Sequence, residues 1–275
     1  MSMTVRTNIA SMQAAGQLGR TQKNLSRTLG RISSGMRITQ AADDAAGLGV
    51  ATALETSVIS TRQAMRNAND GISIIQTAES ATNEVTDILQ RMRELAIQSA
   101  SDTLADEERS YIQDEFLQLR QEVERIAAVT EFNGVSLTDG SSSSIDVQVG
   151  IQNATSSLIT ITLGDLTTNA GLGISAMSLV TSSGARSALD FLDTALSSVN
   201  STRSQFGAVQ NRLESALNNA QVYTEALSAA ESQIRDADFA VETSELTKLQ
   251  IMQQAGVAAL AQAKNVNQSV ISLLS

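Results

Sequence analysis

The sequence predicts a mainly α fold: long antiparallel, coiled-coil-like helices from both termini with a small central β-hairpin. Three observations carry this. Apolar residues recur every seven positions near both ends. Proline, which breaks helix interiors, is absent from all 275 residues. Only in the middle does the spacing switch to strict alternation, the period of a half-buried strand.

The elements follow in order. Leu18, Leu25 and Ile32 lie seven apart, with Leu29 and Met36 at alternate positions, which makes an apolar seam. Gly16, Gly19, Gly30 and Gly35 each weaken an isolated helix by about 1 kcal/mol relative to Ala. This segment is therefore expected to be disordered in the free monomer and to order against partners. A second helix is predicted over 45–99, where Ile75, Thr82, Leu89 and Ala96 form one row and Ala78, Val85 and Met92 another. At 1.5 Å per residue it approaches about 80 Å. Ser101-Asp102-Thr103 reads as a turn, and Asp106, Glu107 and Glu108 open a third helix, where acids complement the dipole. Its seam is Ile112, Phe116, Leu119, Val123 and Ile126.

Asn133-Gly134 is a turn signal, and 139–144 a polar loop. Ile145, Val147, Val149 and Ile151 alternate with other residues, as do Ile159, Ile161 and Leu163; these are two strands of a hairpin. Residues 164–184, rich in Gly, Ser and Thr, read as loop. From about 185 helical spacing returns, with Phe206, Leu213, Leu227 and Ile234 in a second seam. The last helix is expected over 241–274, with Leu246, Leu249, Met252, Val257, Leu260, Val270 and Leu273 on its apolar side. The simplest packing pairs N-terminal with C-terminal helices, and the apolar surface left over implies contacts between subunits.

Composition removes most enzymatic readings. With no His and no Cys, the usual general base, zinc ligands and thiol nucleophile are missing. Asp43-Asp44 is a paired carboxylate, but adjacent helical residues point about 100° apart, so a helix start or inter-helix salt bridge is the better reading. Gly47-Leu48-Gly49 lacks a preceding strand and a third glycine for a dinucleotide loop. Asp102, Asp106, Glu107 and Glu108 lack calcium-loop spacing. Neither a catalytic, a cofactor-binding nor a metal residue is expected. No run of about 18 apolar residues suggests a membrane span, and the N-terminus lacks a secretory signal's apolar core. Residues 1–42 hold six bases and no acid, against thirteen bases and twenty-nine acids beyond. The bases are scattered and no aromatic among them can stack on nucleobases, which favours contacts within an assembly over nucleic acid.

Several segments resemble bacterial flagellin. Thr7-Asn8 and Ile32-Ser33-Ser34-Gly35-Met36-Arg37-Ile38 look like its "TN … RLSSGLRI" stretch, and Asp43-Asp44-Ala45-Ala46-Gly47 resembles the next block. Arg66–Ser73 reads RNANDGIS, and Gln90–Gln98 resembles "LQRxRELxxQ". Glu131-Phe132-Asn133-Gly134, Ile234–Ala240 and Gln253-Gln254-Ala255-Gly256 continue the match in family order. The resemblance implies a minimal flagellin. Residues 1–43 and 240–275 would be inner-core terminal helices, with Leu18, Leu25, Leu29, Ile32, Leu246, Leu249, Val257, Leu260 and Leu273 as their seam. Residues 44–239 would form a helical rod with the hairpin, and no outer domain is expected. It implies a helical homopolymer, the extracellular flagellar filament used for swimming, and no membrane or nucleic-acid partner. It further implies export unfolded through the flagellar type III apparatus without a cleaved signal, an export chaperone similar to FliS, a distal cap resembling FliD, and hook–filament junction proteins as neighbours. A patch similar to that read by Toll-like receptor five of a host would comprise Arg91, Leu95 and Glu115. Asn267 and Ser275 depart from the family's usual proline and arginine, which bears on intracellular sensors of the C-terminus and not on polymerisation. The Ser/Thr-rich stretches 138–144 and 155–183 are candidates for O-glycans. Two other readings remain at this point: a hook–filament junction protein, and a chemoreceptor-like signalling bundle, which the β-containing centre disfavours.

Overall fold

The computed structural model describes residues 7–272, with side chains as far as Asn265. Its helices are α1 (Ile9–Ser34), α2 (Ala45–Ala100), α3 (Asp106–Val129), α4 (Ser182–Arg235) and α5 (Phe239–Ser272). Between α3 and α4 lie β1 (Glu131–Phe132), β2 (Val135–Ser136), β3 (Ser144–Gln148) and β4 (Leu158–Thr162). The mainly α fold and the central hairpin are as predicted.

Each helix begins where a side chain satisfies a free backbone N–H. Asn8 accepts from the Ser11 N–H at 2.9 Å, and Asp44 from the Gly47 N–H at 2.9 Å. Glu108 reaches back to the Ala105 N–H at 2.9 Å. Thr181 accepts from Gly184 at 3.1 Å, and Asp238 from Ala240 at 2.8 Å. α1 ends at Gly35, whose φ of 71° is a left-handed stop.

The chain divides into two compact units. One comprises 1–56 with 226–275, and contains α1, α5 and the adjoining ends of α2 and α4. The other is 57–225. In it, Val85, Leu89 and Met92 of α2, Phe116 and Val123 of α3, and Leu192 and Val199 of α4 share one buried cluster. A second cluster seats the hairpin: Val147, Ile159 and Ile161 pack with Ile75 of α2 and with Phe206 and Leu213 of α4. β3 and β4 are antiparallel, with Val147 opposite Ile159 and Ile145 opposite Ile161, so the predicted alternation places one apolar face inward. Gly71 makes the seat possible, because a Cβ there would lie 3.1 Å from Val147 and 3.3 Å from Leu213. Asn133 and Gly134, at φ 50° and 78°, turn β1 into β2, a second and smaller hairpin beyond the predicted one.

The segment 163–181 has no regular structure, as expected, yet it is not a surface loop. Leu166, Leu172, Ile174, Met177 and Leu179 are buried in the first cluster of the 57–225 unit. Some of its backbone N–H groups are satisfied within the strap, Leu172 by Thr167 O and Ile174 by Thr168 O, and others by side chains of the helices. Glu124 accepts from Thr168 N–H and Oγ1 at 2.9 and 2.7 Å, Gln113 accepts from the Leu179 N–H, and Arg120 donates to Ser175 O. Ser99 Oγ donates to Leu179 O at 2.6 Å. This strap completes the helical core.

Candidate functional site

The α1–α5 pair is antiparallel. Asn8 Nδ2 donates to Ala263 O at 2.8 Å, Gln253 Nε2 to Gln22 Oε1 at 2.8 Å, and Arg31 Nη1 to Glu242 Oε1 at 3.3 Å. Leu25 and Leu249 are buried in the seam, with Thr21, Thr28 and Glu242. Leu18, Ile32, Leu246 and Leu260 are half-buried. Leu29 and Val257, expected in the same seam, face outward with 47% and 52% of their surface exposed. The reason is the step of the repeat. After Leu25 the seam is carried on by Thr28, three residues on, and Gly256 lies against Leu18, where a Cβ would come to 3.3 Å. These small residues let the helices approach and turn their larger neighbours out. Val270 and Leu273 lie outside the described side chains.

The connection between α1 and α2 is clasped to that between α4 and α5. Met36 and Asp236 form an isolated antiparallel bridge, Arg37 N–H donates to Arg235 O at 2.7 Å, and Ala237 N–H to Gly35 O at 2.9 Å. Arg27 and Arg31 both approach Asp43 Oδ1 at 3.8 Å. Burial pushes the Asp43 carboxyl up, but hydrogen bonds from Thr39 and the nearby Arg31 outweigh it and hold it below the ordinary carboxylate value. Arg235 pairs with Glu55 at 2.8 Å. The DDAAG block is thereby explained: Asp43 takes the arginines, Asp44 caps α2, and a Cβ on Gly47 would strike Asp44 and Ile38. Neither carboxylate is part of a dyad, in keeping with the helix-start and salt-bridge reading. The Arg31–Glu242 and Arg235–Glu55 pairs gave no signal in sequence, because their partners lie 211 and 180 residues apart.

In the 57–225 unit, Arg91 Nη2 and Nε reach Glu115 Oε1 at 2.9 and 3.1 Å, and Nη1 reaches Glu94 at 2.9 Å. The hydrogen bond to Glu115, then that to Glu94, raises the guanidinium pKa above its ordinary value. Both Arg91 and Glu115 are exposed. Leu95 departs from the patch predicted for it: only 2% of it is exposed, and it belongs to the core cluster. It lies one turn beyond Arg91 but points between α2 and its neighbours. Of the second seam, Phe206 and Leu213 are fully buried, and Leu227 and Ile234 half-buried.

What the molecule presents outward is apolar helix. An amphipathic helix docked on one partner keeps its other side polar. α5 does not: Leu246, Leu249 and Leu260 turn toward cover, while Phe239, Val241, Ile251, Met252 and Val257 are exposed. α1 adds exposed Ile9, Met12 and Leu29. Among the described residues no helix is long and apolar enough to cross a membrane. A helical protein with such terminal faces is built as a subunit of a protein polymer.

The comparisons give that class its family. Residues 5–143 match the bacterial flagellin N-terminal helical region, and residues 189–274 the bacterial flagellin C-terminal helical region. The chain is 40% identical over 272 residues to the flagellin of Halalkalibacterium halodurans, covering 99% of this chain and 100% of that one. It is 39% identical over 288 residues to the flagellar filament 33 kDa core protein of Treponema phagedenis, again covering 99% and 100%. The crystal structure of Bacillus cereus flagellin superposes with a TM-score of 0.51 and 32% identity, over 56% of this chain and 88% of that one. The chain belongs to the bacterial flagellin family. It is a structural subunit of the flagellar filament, short because its centre holds only hairpins and a strap.

Proposed function

We propose that polymerisation is driven by burial of the outward faces of α1 and α5 between copies of this chain. The observation that carries this is the exposure of Phe239, Val241, Ile251 and Val257 on a helix that α1 already covers along one side. Each such side chain contributes about 1.5–3 kcal/mol when fully buried. Residues 1–43 and 240–275 act as the inner-core terminal helices and 44–239 as the helical rod with the hairpin. Leu29 and Val257 serve between subunits, where Leu18, Leu25, Ile32, Leu246, Leu249 and Leu260 serve within one.

The family resemblance extends this reading to partners. The chain passes unfolded through the flagellar type III apparatus without a cleaved signal. A FliS-like chaperone holds the apolar C-terminal segment before export, a FliD-like cap guides addition at the tip, and hook–filament junction proteins meet the first subunits. The exposed Arg91–Glu115 pair offers Toll-like receptor five of a host a charged surface, to which Leu95 contributes by holding α2 in place.

Seeded polymerisation tests the central statement. Purified monomer added to sonicated filament seeds elongates them, as followed by light scattering and electron microscopy. The double variant Leu29→Asp, Val257→Asp elongates at least about a hundredfold more slowly, since a buried unpaired carboxylate costs several kcal/mol. Its 57–225 unit melts as in the unchanged chain. Seeds that fail to grow with unchanged monomer would overturn the proposal.

A further inference from the structure

Methionine is distributed unevenly between core and surface. Met92 is fully buried and Met177 nearly so, both in the core of the 57–225 unit. Met36 and Met65 are half-buried. Met12 on α1 and Met252 on α5 are 67% and 40% exposed. Both stand on the helix pair whose outward apolar faces carry the assembly proposed above. Met252 also lines an apolar groove of about 240 Å³ between the two helices, with Ala14, Leu18, Thr21, Gly256 and Ala259. The chain holds no cysteine thiol to consume an oxidant first. An exposed thioether is the group on this chain most open to two-electron oxidation.

We propose that Met12 and Met252 are oxidation-sensitive modification sites, at which a peroxide converts the α1–α5 surface from assembly-competent to assembly-blocked. The inference rests on the reading of that surface as the polymerisation face. In the step, a lone pair on the methionine Sδ attacks the peroxide O–O bond. Sulfur gains one oxygen and is oxidised by two electrons, and the other oxygen leaves as water after taking up a proton. The thioether, a flexible apolar filler, becomes a polar sulfoxide. Between packed apolar helices a sulfoxide oxygen meets no donor and loses its water, so docking is penalised. The buried Met92 and Met177 are shielded, and the 57–225 core stays folded. The modification is reversible: methionine sulfoxide reductases with a dithiol return the thioether, the dithiol becoming a disulfide and the oxygen leaving as water.

The test treats full-length monomer with dilute hydrogen peroxide, follows each methionine by peptide mass mapping, and then measures seeded elongation. Met12 and Met252 are expected to oxidise at least about tenfold faster than Met92 and Met177. Elongation is expected to fall at least about tenfold, with the 57–225 unit unchanged by circular dichroism, and to recover after reductase treatment. The double variant Met12→Leu, Met252→Leu lacks sulfur at both positions, and its own elongation rate, whatever its value, is expected to be unchanged by peroxide. Equal oxidation of all methionines, undiminished elongation by chain oxidised at both sites, or equal inhibition of the double variant would each overturn the proposal. Untreated monomer that does not elongate seeds defeats the polymerisation reading instead, and the mass map still decides which thioethers react.

Discussion

At the scale of single residues, the stretch around Arg91 shows how neighbours in one motif divide their work. Arg91 is half in solvent and pairs with Glu94 and Glu115, while Leu95 is sealed among Met92, Phe116 and Leu192 in the same cluster. Exposed ion pairs contribute about 0–1 kcal/mol, because solvent screens them and the side chains lose freedom in forming them. Truncating a buried Leu costs about 2–5 kcal/mol through lost transfer energy and the cavity left behind. Arg91→Ala is therefore expected to leave the urea midpoint of the 57–225 unit almost unmoved, and Leu95→Ala to lower it by the equivalent of about 2–5 kcal/mol. If Leu95→Ala proved as mild as Arg91→Ala, the buried position of Leu95 would be wrong. The heptad rows of α2 already placed Met92 in the core from sequence. Leu95 was harder to place, since a helical Leu three residues beyond Met92 fits a core row and a surface patch equally well until the positions of α3 and α4 are known.

At the scale of elements, helix bounds were legible to within about three residues, because caps and heptads are local: α2 was expected at 45–99 and runs from Ala45 to Ala100, while α4 was expected from about 185 and begins at Ser182. The hairpin was legible for the same reason, as a period of two between turn residues. The strap at 163–181 was not. Its buried Leu166, Leu172, Ile174, Met177 and Leu179 follow no single period, and the side chains that anchor it, Glu124, Gln113 and Ser99, lie on other elements. The seam partners Thr28 and Gly256 were missed because small residues carry no hydrophobic signal. Glu124 offers a way to examine the strap. Hydrogen bonds from the Thr168 hydroxyl and then from its N–H hold the Glu124 carboxyl below its ordinary value of 4.5. A depressed carboxylate contributes stability that is fully present above the unfolded-state pKa and is lost as pH falls through the folded-state value. Glu124→Gln keeps an acceptor for Thr168 but no charge. The unchanged chain is expected to be the more stable at pH 7, by less than about 1 kcal/mol once solvent exposure is allowed for. The gap should narrow below about pH 4.5 and close in stronger acid. Urea unfolding of both proteins across that range measures it, and a gap independent of pH would rule out a charged Glu124 as the strap's anchor.

At the scale of the whole molecule, the two units differ in what they need. The 57–225 unit has its own buried clusters, with α2, α3, α4, the hairpins and the strap all contributing. The unit of α1 and α5 buries few large residues and leaves Ile9, Met12, Leu29, Phe239, Val241, Ile251 and Val257 in contact with solvent. Four glycines on or beside α1 lower its intrinsic helicity further. Segments with few buried contacts open at free energies near zero, whereas a packed core opens only at the global cost. The lysines report on this difference. All three, Lys23, Lys248 and Lys264, lie on α1 or α5, while every base between 57 and 225 is arginine. A lysine-specific protease therefore has no site inside the core unit, whatever that unit's stability. With free monomer it is expected to cut after Lys23 and Lys248 within minutes and to leave 24–248 as a lasting product. In filaments the same bonds should be cut at least about a hundredfold more slowly, because neighbouring subunits add the apolar cover that holds both helices closed. Mass spectrometry of digests of monomer and filament, at equal chain concentration, reads both rates directly. Equal protection in the two states would mean that α1 and α5 are already stable in the lone chain. Their exposed apolar faces would then have to meet a neighbour without any gain in order, and assembly would be the docking of preformed helices instead of folding coupled to addition.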